Sequence, residues 1–312
     1  MIGLSRLCCR SVFLGGMHVM ELKLATLAVL TALAATPQPP ILGAQPPQES
    51  APSAWEASRP ERLRFMKDQA SEFSLFQHAD PSTPLPLMPE PSLRYINLEA
   101  NVNDGATFLW LDGTRPAAAI SYSIRLPDDR VYREWTSFSP TPLECRRGGV
   151  ALWSPATNGL LLERLDDAPV PAATQVQRLM QMRTLARRFS GARHNSRDDS
   201  PTELRLMPAP LYHYTAEASG VLGGALFVFV IGTDPELFLL LEAVRDTATS
   251  AAAWQYTLAR MSSQKMTLRL DGVDRWFLPN IYREPDGRNP SARYGETSLG
   301  RFIPSPAASP RP

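Results

Sequence analysis

Leu87-Met88-Pro89-Glu90-Pro91 returns in the chain as Leu206-Met207-Pro208-Ala209-Pro210, and the same offset, kept without a gap, pairs the residues that follow. Tyr95 falls on Tyr214, Val102 on Val221, Gly105-Ala106 on Gly224-Ala225, Phe108 on Phe227, Gly113-Thr114 on Gly232-Thr233 and Pro116 on Pro235. That makes 12 identities in the 30 positions from Leu87 to Pro116, where ordinary residue frequencies would give roughly two. A self-match at one fixed offset is the mark of a repeated structural unit, so the sequence predicts a tandem duplication.

The match extends outward once small gaps are allowed. Arg62-Leu63, Met66, Ala70 and Phe73-Ser74 correspond to Arg178-Leu179, Met182, Ala186 and Phe189-Ser190. Leu63, Met66, Ala70 and Phe73 recur at the spacing of one helix face. Ser58 with Glu61 and Thr174 with Gln177 form the S/T-x-x-E/Q pattern that caps a helix start. Downstream, Gly149-Val150 and Trp153 return as Gly272-Val273 and Trp276. The units therefore run over 55–160 and 172–282, with a linker at 161–171.

Each unit reads as a helix followed by an antiparallel β-meander of about five strands, an α+β class. In the first unit the strands are expected at 92–99, 106–111, 117–126, 130–138 and 143–153, and in the second at 211–215, 225–231, 236–245, 254–261 and 266–278. Asp112-Gly113, Pro127-Asp128-Asp129 and Asp271-Gly272 supply tight turns between neighbours. The stretches 225–231 and 237–241 are apolar at every position, which a sheet with one wet face does not tolerate. The pattern favours the partner unit as the cover of the second face, in a pseudosymmetric pair. Ala117, Ala119, Ser121 and Ser123 share one parity, a small-residue face that either admits a close-packed helix, the favoured reading, or lines a cavity.

Around these units the chain is proline-rich: a linker at 45–54 and a C-terminal tail at 283–312. The N-terminus carries Arg6, Arg10 and Lys23, an apolar run of about 12 residues ending at Ala35, and Leu42-Gly43-Ala44 before Gln45. This is the layout of a secretory signal peptide over 1–44, cleaved near Ala44. The run is shorter than the roughly 20 residues that cross hydrocarbon, so no integral span is expected after cleavage. Met1, Met17 and Met20 are all candidate starts. The expected address is periplasmic or extracellular.

Lys and Arg number 32 against 31 Asp and Glu, which removes the basic field that nucleic acid would require. After cleavage Cys145 is the single remaining cysteine, so no intramolecular disulfide is expected, and a small buried hydrophobe is the favoured role. His78, His194 and His213 stand at no metal-ligand spacing, and neither a metal nor a cofactor is expected. Asp166-Asp167 and Asp198-Asp199 read as solvated loop residues. Gly223-Gly224 precedes a strand, where backbone donors are not arranged for phosphate. No short catalytic motif occurs, so no catalytic residue is assigned, and an enzyme is the less favoured reading.

Candidate ligand residues come from three places. Arg133, Glu134 and Trp135 form a cluster whose counterparts Thr257, Leu258 and Ala259 are uncharged. Trp110, Tyr122 and Phe229 could point between sheet and helix, where an apolar molecule would sit. His213, between Tyr212 and Tyr214, could act as a base, although an exposed strand position is the favoured reading because its counterpart is Arg94.

The segment Gly224 to Glu236, with Trp254-Gln255-Tyr256 and Ala259-Arg260-Met261, resembles uncharacterised exported proteins of planctomycete-type bacteria over roughly 60–303. That resemblance implies a secreted address and nothing about catalysis. The leading expectation is a non-catalytic exported binding or assembly protein with a protein partner. The alternatives are a carrier of a lipid or other apolar small molecule, and an extracytoplasmic hydrolase using His213 or Glu134.

Overall fold

The computed structural model describes residues 54–155, 162–245, 251–281 and 292–304, all within one compact unit, Pro52–Pro312. The expected signal peptide and nearly all of the 45–54 linker lie outside the described residues. The architecture is dominated by antiparallel strands with few helices.

In the first half, the short α1 (Ala54–Ala57) and α2 (Arg59–Ser71) lead into β1 (Phe73–Gln77), β2 (Asp80–Leu85), β3 (Leu93–Asn97), β4 (Val102–Asp112), β5 (Arg115–Arg125), β6 (Arg130–Ser137), β7 (Leu143–Arg147) and β8 (Val150–Trp153). After β9 (Glu163–Arg164) the second half runs through α3 (Gln175–Ala186), β10 (Phe189–His194), β11 (Pro201–Glu203), β12 (Arg205–Leu206), β13 (Tyr212–Ala216), β14 (Val221–Ile231), β15 (Asp234–Arg245), β16 (Ala252–Arg260), β17 (Met266–Leu270) and β18 (Val273–Leu278). The last strand is β19 (Tyr294–Arg301).

Four sheets result, ordered β2-β1-β7-β8, β11-β10-β17-β18, β19-β6-β5-β4-β3 and β12-β14-β15-β16-β9, with β13 also paired to β14. The predicted meander is thus four strands long in each half. The fifth candidate leaves it, because 143–153 and 266–278 each fold into a hairpin. Gly148-Gly149 and Asp271-Gly272 take positive φ at the two turns. The hairpin's first strand pairs with the strand that follows the helix. Phe73 and Phe189, read as the last apolar turn of each helix, instead open those strands. A spacing of three residues after Ala70 fits either element, and the period could not separate them.

The helices bury matching stripes, Arg62, Met66 and Ala70 in one and Arg178, Met182 and Ala186 in the other. Their starts differ. Thr174 caps α3 by accepting from the Gln177 N–H at 3.3 Å, as predicted. Ser58 makes no such bond, because its hydroxyl donates to Trp55 O and accepts from Arg62.

Three large clusters and a small one of Leu93, Tyr95 and Val102 make the core. One lies under α2 and one under α3. The third joins Leu109, Ala119 and Phe138 of the first half to Leu226, Val228, Val230, Phe238 and Leu240 of the second, with the Phe138 and Phe238 rings edge to face at 5.4 Å. The two-sided apolar strands are therefore covered by α3 and the small sheet on one face and by the other half on the opposite face. Ala119 lies in this shared core, so the small-residue face packs against the second half's sheet rather than the predicted helix. Small side chains suit both neighbours, which is why the pattern did not distinguish them. Reciprocal contacts hold the halves: Thr114 Oγ1 donates to Thr215 O, and at the matching positions Thr233 Oγ1 donates to Ile96 O at 3.0 Å.

The C-terminal segment expected to be a tail carries β19, which pairs along the whole of β6. The 161–171 linker carries β9, which pairs with β16. Each large sheet is thus finished at its edge by a strand that follows the other half's hairpin. Cys145 is buried and free, and burial pushes its thiol up to about 12, consistent with the packing role. No helix among the described residues is long and apolar enough to cross a membrane.

Candidate functional site

At one end of the shared core, where the two large sheets stop being apolar, a cleft of about 810 Å³ opens. Strand alternation aims the side chains. On β6, Trp135 turns into the core under α2, so Glu134 faces the second half. On β15, Asp234 reaches the first half, where the Asn97 amide donates to it, and Glu236, at a register irregularity between β14 and β15, pairs with Arg193 of β10. On β19, Tyr294 lies in the shared core and Glu296 follows it on the same face. Arg125 ends β5, and Arg193 reaches in from β10.

Glu134 and Glu296 stand directly opposite on paired strands, an arrangement of like charges that costs free energy. Burial, then the Glu296 charge, raises Glu134 well above the ordinary carboxyl range, and the Tyr294 hydroxyl donates to its Oε1. Burial raises Asp234 to about 6, against the pull of Arg125 and of the Asn97 amide. Burial, with the Asp234 charge, raises Glu236 to about 8, although Arg193 pairs with it at 2.6 Å. Desolvation dominates because Glu236 is 2% exposed and Glu134 8%.

Arg125 is the unsatisfied member. Its guanidinium lies 4.2 Å over the Tyr132 ring, and its buried Nε has no hydrogen-bond partner. Among the described residues no carboxylate comes within ion-pairing distance, 4.0 Å, yet Glu134, Glu296 and Asp234 are near enough to raise its proton affinity against its burial. Charges that feel one another without touching leave a gap among them. Arg197 adds a third, exposed guanidinium, and the rest of the lining is mainly hydroxyl and amide groups, including Thr202, Ser262, Ser263 and Gln264.

The other end of the shared core is closed. Arg115 grips Glu242 with two hydrogen bonds, at 2.7 and 3.2 Å. Tyr214 donates to the same carboxylate, and Gln255 adds a bond at 3.0 Å. Burial alone would raise Glu242, but Arg115 and these donors hold it below the ordinary range. The offset read from the sequence places Asp234 where Arg115 stands, Ser123 where Glu242 stands and Tyr95 where Tyr214 stands. Strand pairing then matches Glu134 with Thr257, because Ser137 lies across from Ala118 and Arg260 across from Leu237. By the same register Arg133 matches Tyr256 and Trp135 matches Leu258. The counterparts expected from sequence were one residue late, since the β15–β16 connection is longer than the β5–β6 turn.

Of the residues singled out from sequence, only Glu134 lines the cleft. Arg133 and Trp135 face the opposite way, with the Arg133 guanidinium 4.8 Å from the Phe73 ring and 4.1 Å from the Trp135 ring. Trp110, Tyr122 and Phe229 are packed in the cores under the helices. His213 is exposed on β13, as favoured. Arg125, Arg193, Asp234, Glu236 and Glu296 were missed. Glu236 carried a usable signal, an acid inside an otherwise apolar strand. No three His, Cys, Asp or Glu side chains among the described residues are grouped to hold a metal ion.

No protein-family model, curated protein or solved structure matches this chain. The geometry defines an antiparallel β protein of two halves with a charged cleft at one end of their common core.

Proposed function

We propose that this is an exported, non-catalytic binding protein, built by tandem duplication, that holds a small polar ligand in the cleft between its pseudosymmetric halves. The carrying observation is the contrast at the two ends of the shared core. Arg115 and Glu242 satisfy each other at one end, while Arg125, Glu134, Asp234 and Glu296 surround a gap at the other. A buried polar group without a partner calls for an explanation, and a bound molecule is one. The volume suits a small-molecule site. The leader at 1–44 supports export, and the reciprocal threonine contacts support the duplication. Native mass spectrometry of the chain from Gln45, produced in an exporting host, tests the reading. A retained polar small molecule that Glu134→Gln releases is expected, and an apo mass both in the extract and after incubation with a polar-metabolite mixture would overturn it.

A hydrolase is the second reading, and one observation favours it. Asp234 and Glu236, two residues apart, both line the cleft and are both raised by burial, so the pair can hold one acid and one base near neutrality. Turnover of a glycoside or ester that Asp234→Asn abolishes would establish it. The apolar-carrier reading finds no such support, since Trp110, Tyr122 and Phe229 are enclosed by core side chains.

A further inference from the structure

We propose that the first half carries a second site, separate from the cleft, in which the guanidinium of Arg133 binds the carboxylate of a small organic acid. Arg133 lies on the face of β6 turned away from the cleft and is 7% exposed. Its guanidinium sits 4.8 Å from the Phe73 ring and 4.1 Å from the Trp135 ring, and its buried Nε has no hydrogen-bond partner. The groups that act on its charge are Tyr122, Cys145 and Arg147. None is a carboxylate. Glu72 is paired with Arg147 instead. Tyr122 stands directly across the sheet from Arg133, and its hydroxyl is a second buried donor with no partner. Aromatic rings can hold a guanidinium, but they do not neutralise it, and a buried charge without a counter-ion costs free energy.

The second half shows what the same frame does at the matching place. Arg133 matches Tyr256, and the residue across from Tyr256 on the finishing strand β9 is Glu163. Its carboxylate accepts from the Tyr256 hydroxyl and, at 3.5 Å, from the Trp276 indole. Across from Arg133 on the finishing strand β19 stands Thr297, a shorter, uncharged and exposed residue. The Trp153 indole, which matches that of Trp276, donates to the Ala292 carbonyl at 2.7 Å. Where the second half closes around a carboxylate of its own, the first half keeps the donors and lacks the acid. A planar carboxylate suits the guanidinium fork. Arg147, 5.6 Å from the Phe73 ring, adds positive charge that disfavours a cationic ligand.

The test follows the Arg133 Nε–H resonance of the nitrogen-labelled chain from Gln45 during titration with acetate, acetamide, phosphate and chloride at constant ionic strength. At about pH 7 a carboxylate is ionised. Acetate is expected to shift the resonance saturably, its neutral isostere acetamide to leave it unmoved, and phosphate and chloride to act at least about tenfold more weakly. Thr297→Glu, made at an exposed position, puts a carboxylate where the second half has Glu163. It should move the resonance by itself and weaken acetate binding at least about tenfold, the scale of a charge-assisted hydrogen bond. No shift with acetate, or an equal shift with phosphate or chloride at the same concentrations, would overturn the proposal. Acetate binding unchanged in Thr297→Glu would overturn it too.

Discussion

The two ends of the common core are built from matching positions of matching strands and have opposite chemistry. At one, Glu242 is held by Arg115, Tyr214 and Gln255 and stays ionised. At the other, Glu134, Asp234 and Arg125 occupy positions matching Thr257, Arg115 and Val244, and they do not satisfy one another. A protein under pressure only for stability would close both ends or make both apolar, because buried charge without a partner costs several kcal/mol. The difference teaches that within one frame, one end serves cohesion and the other keeps its polar groups available.

Four changes would break or sharpen this comparison. The largest effect is expected from Glu242→Gln, which strips the anion from buried Arg115 and should cost about 3–5 kcal/mol in urea unfolding.

Next is pH. Glu236 and Asp234 are raised, to about 8 and about 6. A raised carboxyl binds more protons folded than unfolded, so its contribution is fully present below the unfolded value of about 4 and is lost as pH rises through the folded value. Unliganded protein should therefore lose on the order of a few kcal/mol from mildly acidic pH to about pH 8. Glu236→Gln should flatten that slope in melts taken across the range.

Smaller, and equal in the two halves, is the effect of Gly105→Ala or Gly224→Ala. The Tyr95 and Tyr214 rings lie over these glycines from the paired strand, and an added Cβ would overlap them. A loss of about 1–3 kcal/mol is expected for each by thermal or urea melts.

The smallest effect belongs to Gly223→Asp. In the first half Arg62 bonds Asp104 at 2.8 Å, whereas Arg178 finds the carbonyls of Ala172, Ala173 and Leu222 and its Nε has no partner. The new Cβ would meet only the flexible ends of Arg178 and Met182. A gain of about 1 kcal/mol or less is expected in the same melts.

Much of the frame was legible in the sequence, for reasons visible in particular residues. Tyr95 over Gly105 and Tyr214 over Gly224 explain why those four positions recur at one offset, since each ring needs its glycine. The continuous apolar runs of β14 and β15 announced two covered faces, and the shared core supplies the second cover. What stayed hidden depends on contacts distant in the chain. Nothing local in Tyr294–Arg301 says that it will finish the sheet of the first half, and proline-rich surroundings made it read as tail. Arg125, Asp234 and Glu296 look individually like ordinary strand-end charges. Only the packing of the halves brings them to one cleft. Glu134 was found because divergence between the two matching stretches of sequence pointed to it, while its neighbours Arg133 and Trp135, caught by the same signal, alternate to the far side of the strand.

The most direct test of the account is the stability of Glu134→Gln in urea at about pH 8 without ligand, above the range where ordinary carboxyls titrate. If the open end holds its carboxyls at a cost, replacing this one by an amide that keeps an acceptor for Tyr294 should leave the protein as stable as the parent or more so. A loss of about 3 kcal/mol or more, as expected for the closed end, would show that Glu134 is a cohesive group like Glu242 and would contradict the account.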